Sequence, residues 1–355
     1  LGEASIRRQK TEQLKAAVAD VLHKREAQAL ARLEVREIAP ERRQVVEQGK
    51  DRLEQRAAAA RDNAHVVRQI ARDYAALPHD KRAATLVLTS TNADRKALNA
   101  AIRDELQKSG ALGQDAAQAR VLRAADMTRE DSRRAASYRE GQVIEVTTGR
   151  GREARTERME IERIDSRANT LYARDEQGRE RQIDPAQRGQ RVAAYDAESR
   201  GIAPGDRVRF TENHTLPDGQ RVRNGQVATV ERIDAERVHL RLGDGKTAQH
   251  LAADARALKA DHDYAVTSYS AQGRTVDRVM IHHNTEAGRH SDRETYVNIT
   301  RAREGASVYT QDQAKMERQI GLESNKSAAH DVAAEKERQQ QAERAPQRER
   351  DGWGR

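Results

Sequence analysis

The sequence predicts an α/β protein whose parallel sheet is interrupted along the chain by two small β-barrels, with a helical N-terminal segment and a disordered C-terminal tail. Three observations predict it. A short β-rich run, Thr85-Leu86-Val87-Leu88-Thr89, passes at once into a helical pattern, which is half of a strand–helix–strand unit. The same grammar returns between Tyr264 and Thr310. Between the two lies a stretch of short Val/Ile runs set off by Gly and Asp turns and containing an internal repeat.

From Lys10 to Tyr74, apolar residues recur at helical spacing: Leu14, Val18, Val21 and Leu22, then Leu53 and Ala57, then Val66, Val67, Ile70 and Tyr74. Two or three amphipathic helices are expected, Pro40 suiting a first turn and Pro78 closing the last. Thr85–Thr89 has no helical period and reads as a buried strand. Thr91-Asn92-Ala93-Asp94 is a capping start, and Leu98, Ile102 and Leu106 mark one face of a helix ending near Gly110. In the interruption, Ile161-Glu162-Arg163-Ile164-Asp165 with Leu171-Tyr172-Ala173 parallels Val230-Glu231-Arg232-Ile233-Asp234 with Val238-His239-Leu240. Gly/Asp turns such as Gln177-Gly178, Gly205-Asp206, Asp218-Gly219 and Asn224-Gly225 punctuate it regularly. Strands follow at Tyr264–Ser268, Arg278–His283 and Ala306–Thr310, with a helix opening at Ser291-Asp292-Arg293-Glu294. From about Leu322 the chain is Gln, Glu, Arg and Ala with little pattern until Trp353, the composition of a disordered tail.

Composition narrows the function. The chain has 355 residues, 36% hydrophobic, 34% charged and 3% aromatic, which fits two or three domains with thin aliphatic cores and argues against a large aromatic-lined cavity. Sixty-five Lys+Arg against 57 Asp+Glu give +8, with a pI near 9.7 and a mean hydropathy of −0.98, a balance that favours a polyanionic partner. Absence of cysteine excludes disulfide frameworks, thiolate nucleophiles and Cys-ligated metals. No run approaches the roughly 18 apolar residues that span a bilayer, and the N-terminus has no signal-peptide pattern, so the expected address is the cytoplasm, without membrane insertion. A chain opening on Leu1 reads as a piece of something longer.

Several tempting motifs fail. Gly243-Asp244-Gly245-Lys246-Thr247 ends like a P-loop, but Leu240 stands where the first glycine is needed and no helix pattern follows; it reads as a hairpin turn. His282 and His283 are adjacent on a strand, point to opposite faces and cannot share a metal, and His290 is isolated. No metal site is expected. The informative stretches are Val266-Thr267-Ser268-Tyr269-Ser270-Ala271-Gln272-Gly273-Arg274-Thr275 and Tyr296-Val297-Asn298-Ile299-Thr300-Arg301-Ala302-Arg303. A strand ending in hydroxyl residues and a glycine turn can present hydroxyls and backbone N–H groups to phosphate. Arg301 and Arg303 are expected late in a short helix, where the bland account is helix C-terminal preference.

These two stretches resemble motifs V and VI of superfamily 1 helicases, whose usual forms read approximately T-x-H-x-x-Q-G-x-E and Y-V-x-x-T-R-A. Ile6-Arg7-Arg8-Gln9 resembles the arginine motif that opens the second motor domain, and Leu86–Thr89 with Asn92, Arg95 and Asn99 is similar to that domain's next strand and DNA-side helix. Gly205–Thr211 with Asn224-Gly225-Gln226-Val227 resembles the SH3-like barrel inserted in RecD-like helicases. The tandem barrels, Ala-rich helices and Gln/Arg-rich tail are most similar to the helicase part of conjugative relaxases, over about residues 1 to 320.

The resemblance implies a RecA-like second motor domain at 1–110 and 259–321, inserted barrels at 111–200 and 201–258, and a tail at 322–355. It implies ATP and Mg2+ as cofactors, with the P-loop and metal ligands outside this chain, which alone would not hydrolyse ATP. Arg8 and Arg301 would reach the γ-phosphate, with Gln272 and Gly273 on the nucleotide side. Thr267 would meet a phosphate of single-stranded DNA, with Ser268 and Tyr269 beside it and Asn92 and Arg95 on the helix. Tyr269 stands where many relatives have His, and Thr275 where many have Glu, which puts the ribose contact in doubt. Implied partners are single-stranded DNA, the N-terminal motor and relaxase domains of the same polypeptide, and a type IV secretion coupling protein. Alternatives are a RecD-like repair helicase fragment and a non-enzymatic DNA-binding or secretion-docking module whose Arg150, Arg152, Arg155 and Arg158 hold phosphates; against the latter, Glu153 and Glu157 interleave as on a solvated face.

Overall fold

The computed structural model describes residues 9–320 except 24, 115–116, 150, 235, 244–247 and 288–291. Arg8, Arg150, the Asp244–Thr247 turn, His290, the Ser291 cap and the 322–355 tail therefore lie outside the described residues. The described residues form two compact units, 9–105 with 264–320 and an insert within 106–263. The second division falls at Asp263/Tyr264, since residues 260–262 pair with the insert.

In chain order the first unit opens with α1 (Glu12–Leu22), α2 (Glu26–Ala31), β1 (Glu34–Glu37), α3 (Pro40–Glu47), α4 (Arg52–Ala75), α5 (His79–Ala83), β2 (Thr85–Thr89) and α6 (Asn92–Lys108). The expectation of helices alone from Lys10 to Tyr74 is corrected by β1, which pairs in parallel with the last strand of the sheet. A four-residue edge strand with one apolar side chain, Val35, leaves no period to read. Pro40 takes the first turn of α3 as expected, but Ala39 cannot cap it. Asp62 of α4, 0% exposed, supplies the cap instead, accepting from Glu41 N and Arg42 N at 2.9 Å each. At the start of α6, Thr91 Oγ1 accepts from Asp94 N and donates to the Asp94 carboxylate, as the capping pattern predicts.

The insert holds two antiparallel sheets. The first uses β3 (Ala117–Ala124), β4 (Val143–Thr148), β5 (Arg155–Asp165), β6 (Thr170–Asp175), β7 (Glu180–Ile183) and β8 (Gln190–Ile202), ordered β3-β8-β4-β5-β6-β7. Next come β9 (Arg207–Phe210), the small hairpin β10 (His214–Thr215) and β11 (Arg221–Val222), then β12 (Val227–Ile233), β13 (Arg237–Leu242), β14 (Gln249–Asp254) and β15 (Ala260–His262). The second sheet runs β14-β13-β12-β9-β15.

The sequence repeat forms the hairpins β5–β6 and β12–β13, and each part of it has a structural counterpart. The register slips at Glu162 and at Glu231, one bulge in each copy. Each bulge glutamate pairs with the arginine of the facing strand, Arg174 or Arg241. The following arginine meets an aromatic ring across the ladder: Arg163 lies 3.5 Å from the Tyr172 centroid, and Arg232 Nη2 lies 2.9 Å from His239 Nε2. The final aspartate accepts two backbone N–H groups in the turn, Asp165 from Arg167 and Ala168, Asp234 from Glu236 and Arg237.

Between the two sheets of the insert, Lys259 Nζ reaches Glu145 Oε2 on β4 at 2.6 Å, Glu212 Oε1 at 2.7 Å and the Tyr195 hydroxyl on β8 at 3.1 Å. Burial lowers the ammonium pKa, but the Glu145 carboxylate and the hydrogen bonds of this cluster outweigh it and raise the pKa above its ordinary value. Burial also raises the Tyr195 phenol to about 12.

The chain then returns to the first unit through β16 (Ala265–Thr267), β17 (Val276–His283), α7 (Asp292–Ile299) and β18 (Ala302–Thr310), followed by helical residues 313–320. All pairings in this sheet, β1-β18-β17-β2-β16, are parallel. Leu86 and Leu88 join Leu14, Val18, Val266, Ile281 and Val308 in one apolar cluster, while Val87 points the other way. On the α4 face, Val66, Ile70 and Tyr74 are buried.

Candidate functional site

Ligands of open parallel α/β sheets bind beyond the carboxyl ends of the strands. In the first unit that edge carries Thr89 on β2 and Thr267 on β16, which are register partners. β16 is an edge strand, and Asn99 of α6 satisfies its start: Asn99 Oδ1 accepts from Tyr264 N and Ala265 N, and Nδ2 donates to Ala265 O, each at 2.9 Å.

Past β16 the chain folds into consecutive turns. Ala271 N donates to Thr267 O (3.0 Å), Gln272 N to Tyr269 O (3.2 Å) and Arg274 N to Ala271 O (3.1 Å). Thr267 Oγ1 donates to Ser270 Oγ at 2.9 Å. Fully buried Ala271 anchors the loop, so Tyr269 is thrown outward and is 79% exposed, with Gln272 and Gly273 exposed beyond it. Gly273 has φ +83 with open space where a Cβ would sit; the glycine answers to backbone conformation, not to crowding.

The second informative stretch closes on the first. α7 ends at Ile299, so Arg301 and Arg303 lie beyond the helix rather than late within it, Arg303 on β18; the helix C-terminal account is corrected. Arg301 Nε donates to Val297 O at 3.1 Å and Nη1 to Arg274 O at 3.4 Å, while Val276 N donates to Arg301 O at 3.0 Å. Gln9 joins them: its amide, 5% exposed, donates to Thr300 O and Ala302 O at 3.3 and 3.1 Å. The residue after Arg8 is thus fixed beside Arg301.

The remaining sequence candidates separate. Asn92 is exposed, whereas Arg95 is 6% exposed and donates from Nε to Asn92 Oδ1 at 3.2 Å. Ser268 is also 6% exposed, its N–H donating to Thr89 O at 2.9 Å and its hydroxyl to Glu294 Oε1 at 2.8 Å. Ser268 ties the turn to β2, Arg95 is packed under its own helix's Asn92, Tyr269 and Asn92 are exposed, and Thr267 is half-buried with its hydroxyl on Ser270. His282 is structural: its ring nitrogens meet Thr89 Oγ1 at 3.0 Å and Asn63 Oδ1 at 2.8 Å. Among the described residues no group of His, Asp and Glu could hold a metal.

In the insert, Arg155 and Arg158 lie on strand β5, not in a loop. Arg158 is engaged by Glu176 and Asp254 at 3.0 and 2.9 Å, which removes it as a phosphate contact. Four other arginines of the insert share one groove. Arg129, Arg133, Arg188 and Arg191 line a groove of about 880 Å3 in the first inserted sheet, all four exposed and without a carboxylate partner among the described residues. By contrast Arg120, Arg123, Arg139, Arg174 and Arg200 of the same unit are ion-paired. In so arginine-rich a chain no local signal marks the four, since what sets them apart from other exposed arginines such as Arg155, Arg167 and Arg223 is the groove they share across the fold. Glu294 was likewise hidden, because Ser291 three residues before it reads as a capping pair within its own helix.

Comparison with known proteins gives the following. Residues 121–200 match the family described as DNA relaxase TraI 2B/2B-like domain. The chain is 27% identical to the multifunctional conjugation protein TraI of Escherichia coli (strain K12) over 273 residues, 74% of this chain and 15% of that protein. It is 36% identical to the conjugal transfer protein TraA of Agrobacterium fabrum (strain C58 / ATCC 33970) over 106 residues, 30% of this chain and 9% of the relative. The chain spans about 15% or less of the length of these relatives. Among solved structures, Bacteroides Pif1 bound to ssDNA aligns with 85% of this chain and 49% of its own at 12% identity and a TM-score of 0.37.

Proposed function

We propose that this chain, a relative of the conjugative DNA relaxases, is the second motor half of an ATP-dependent DNA helicase or translocase, the helicase part of a relaxase that acts on single-stranded plasmid DNA during transfer. The observation that carries the reading is the clasp between two distant stretches: the Arg301 guanidinium on Arg274 O, Val276 N on Arg301 O, and Gln9 beside both. It puts the exposed turn of Gln272 and Gly273 next to an arginine held by backbone carbonyls, a geometry suited to a phosphate chain.

ATP would supply the phosphoryl group whose transfer to water drives movement, its P-loop and Mg2+ ligands lying outside this chain. Arg301, with Arg8, would neutralise charge developing on the γ-phosphate, exchanging its carbonyl contact at Arg274 for a phosphate oxygen. Gln272 and Gly273 would line the nucleotide side. Thr267 and Asn92 would meet phosphates of the strand and exposed Tyr269 a base, Ser268 and Arg95 acting from beneath. No helix among the described residues is long and apolar enough to cross a membrane, and the cytoplasm is the proposed site of action.

In the intact protein, Arg301→Ala should lower DNA-stimulated ATP turnover by about 10³-fold or more while leaving strand affinity within about twofold, as expected of an arginine acting on the transferring phosphoryl group. Wild-type turnover would remove Arg301 from that role. A second reading, a non-enzymatic DNA-binding or secretion-docking module that could engage a type IV coupling protein, draws on the arginine groove of the insert. The match of residues 121–200 to a relaxase domain favours conjugation over a RecD-like repair role.

A further inference from the structure

We infer that Glu294 is a positioning residue that latches the strand-facing turn to the segment carrying Arg301, so that strand contact and phosphate contact move as one body. The inference rests on the motor reading above.

A ring of contacts joins the two segments. Starting at the turn, the Ser268 hydroxyl donates to Glu294 Oε1 at 2.8 Å, a charge-assisted bond between a side chain 6% exposed and the first turn of α7. α7 carries the connection to Val297, whose carbonyl accepts from Arg301 Nε at 3.1 Å and from Thr300 Oγ1 at 2.9 Å. Arg301 Nη1 then returns to the far end of the same turn at Arg274 O. The turn is held at both ends by one rigid piece, near its start through Glu294 and at its finish through Arg301.

The two bridges are unequal. The Arg301 contact is long, 3.4 Å, and is the one given up when the guanidinium engages a phosphate. The Glu294 contact is short and charge-assisted, and it then becomes the link that keeps the turn in step with α7. Thr267 and Tyr269 flank Ser268 directly, so a strand pressing on either moves the residue that Glu294 holds. One helical turn after Glu294, Asn298 is 4% exposed, and its Oδ1 has no hydrogen-bond partner among the described residues. Both side chains line a cavity of about 20 Å3, room for one water. Beside the buried Ile299, α7 thus turns two polar side chains, Glu294 and Asn298, onto this cavity.

The test compares Glu294→Ala with Glu294→Gln, whose amide oxygen still accepts from Ser268, in two measurements. On this chain, amide hydrogen exchange of residues 268–272 should accelerate about tenfold in Glu294→Ala and stay near wild type in Glu294→Gln. In the intact protein, Glu294→Ala should keep basal ATP turnover and lose about tenfold of its stimulation by single-stranded DNA, with Glu294→Gln restoring it. Unchanged exchange in Glu294→Ala overturns the latch, and faster exchange with full stimulation overturns the coupling. If Glu294→Ala does not fold, Ser268→Ala removes the same bond from the other side, together with the hydroxyl's 3.3 Å contact to Thr89 O, and its exchange rate read against Glu294→Gln decides the matter. An intact wild-type protein without DNA-stimulated turnover counts against the motor reading alone, and exchange then decides the latch.

Discussion

Replacing Lys259 by methionine isolates the linkage between the two inserted sheets. Lys259 is 8% exposed at its side chain and sits against Glu145 and Glu212, 14% and 27% exposed. Methionine fills the same stem but leaves the two carboxylates facing each other without a counter-charge. Removing one partner of a buried pair costs about 3–5 kcal/mol, and solvent reaching Glu212 trims that to about 2–4 kcal/mol. For a unit of this size each kcal/mol shifts the midpoint by about 2–4 °C, so a 3 kcal/mol loss lowers it by about 6–12 °C. Scanning calorimetry of the chain reads this directly. Adding Glu145→Gln and Glu212→Gln to Lys259→Met should recover part of the loss, because the carboxylates cause it.

The pH dependence has a definite sign. With its folded pKa raised above the ordinary 10.5, Lys259 contributes fully at neutral pH, and its contribution fades as pH climbs through the alkaline range. Tyr195, pushed by burial from 10 to about 12, acts in the same direction over that window. Wild type should therefore lose stability above about pH 10 more steeply than Lys259→Met. A Lys259→Met midpoint within 2 °C of wild type (roughly the shift from half a kcal/mol), with no recovery in the triple variant, would refute the clamp.

Two further outcomes are expected. Single-stranded oligonucleotide binding by this chain should weaken as salt rises, and changing Arg129, Arg133, Arg188 and Arg191 together to Gln should reduce the slope of log affinity against log salt by about 3, at about 0.7 per phosphate contact; an unchanged slope places the strand elsewhere. His214, whose pKa is lowered chiefly by burial, contributes stability above about pH 6.5 that is lost as pH falls. The drop in urea midpoint between pH 7.5 and 5.5 should therefore be smaller in His214→Gln, and equal drops would show that the imidazole is not held neutral.

Much of the parallel sheet was legible because its central strands are continuous apolar runs: Thr85–Thr89 is β2 residue for residue, buried throughout. The α6 start was legible because Thr91 and Asp94 sit at capping distance, and the repeat because its glutamate, arginine and aspartate recur in order. β1 was not, since an edge strand of Glu-Val-Arg-Glu has no buried face to leave a period. The helix C-terminal placement of Arg301 and Arg303 failed for a local reason, the turn at Thr300–Arg301 that starts β18 early. Exposure was the least legible property. Arg95 and Tyr269 read alike as surface contacts, yet one is buried under Asn92 and the other is almost fully solvated, a difference set by Ala271 and Asn99 anchoring the chain from below.

The paired bulges at Glu162 and Glu231 bear on how the insert is built. The two hairpins share a bulge, a facing ion pair, an arginine against a ring residue and a carboxylate-capped turn, so one local framework is built twice from one sequence pattern. The four exposed arginines lie outside the repeated hairpin, before β4 and after β7. Exchanging the segments between the shared positions of the two hairpins would therefore move surface residues from one sheet to the other while each keeps its bulge and its carboxylate-capped turn, and would leave the arginine groove in place.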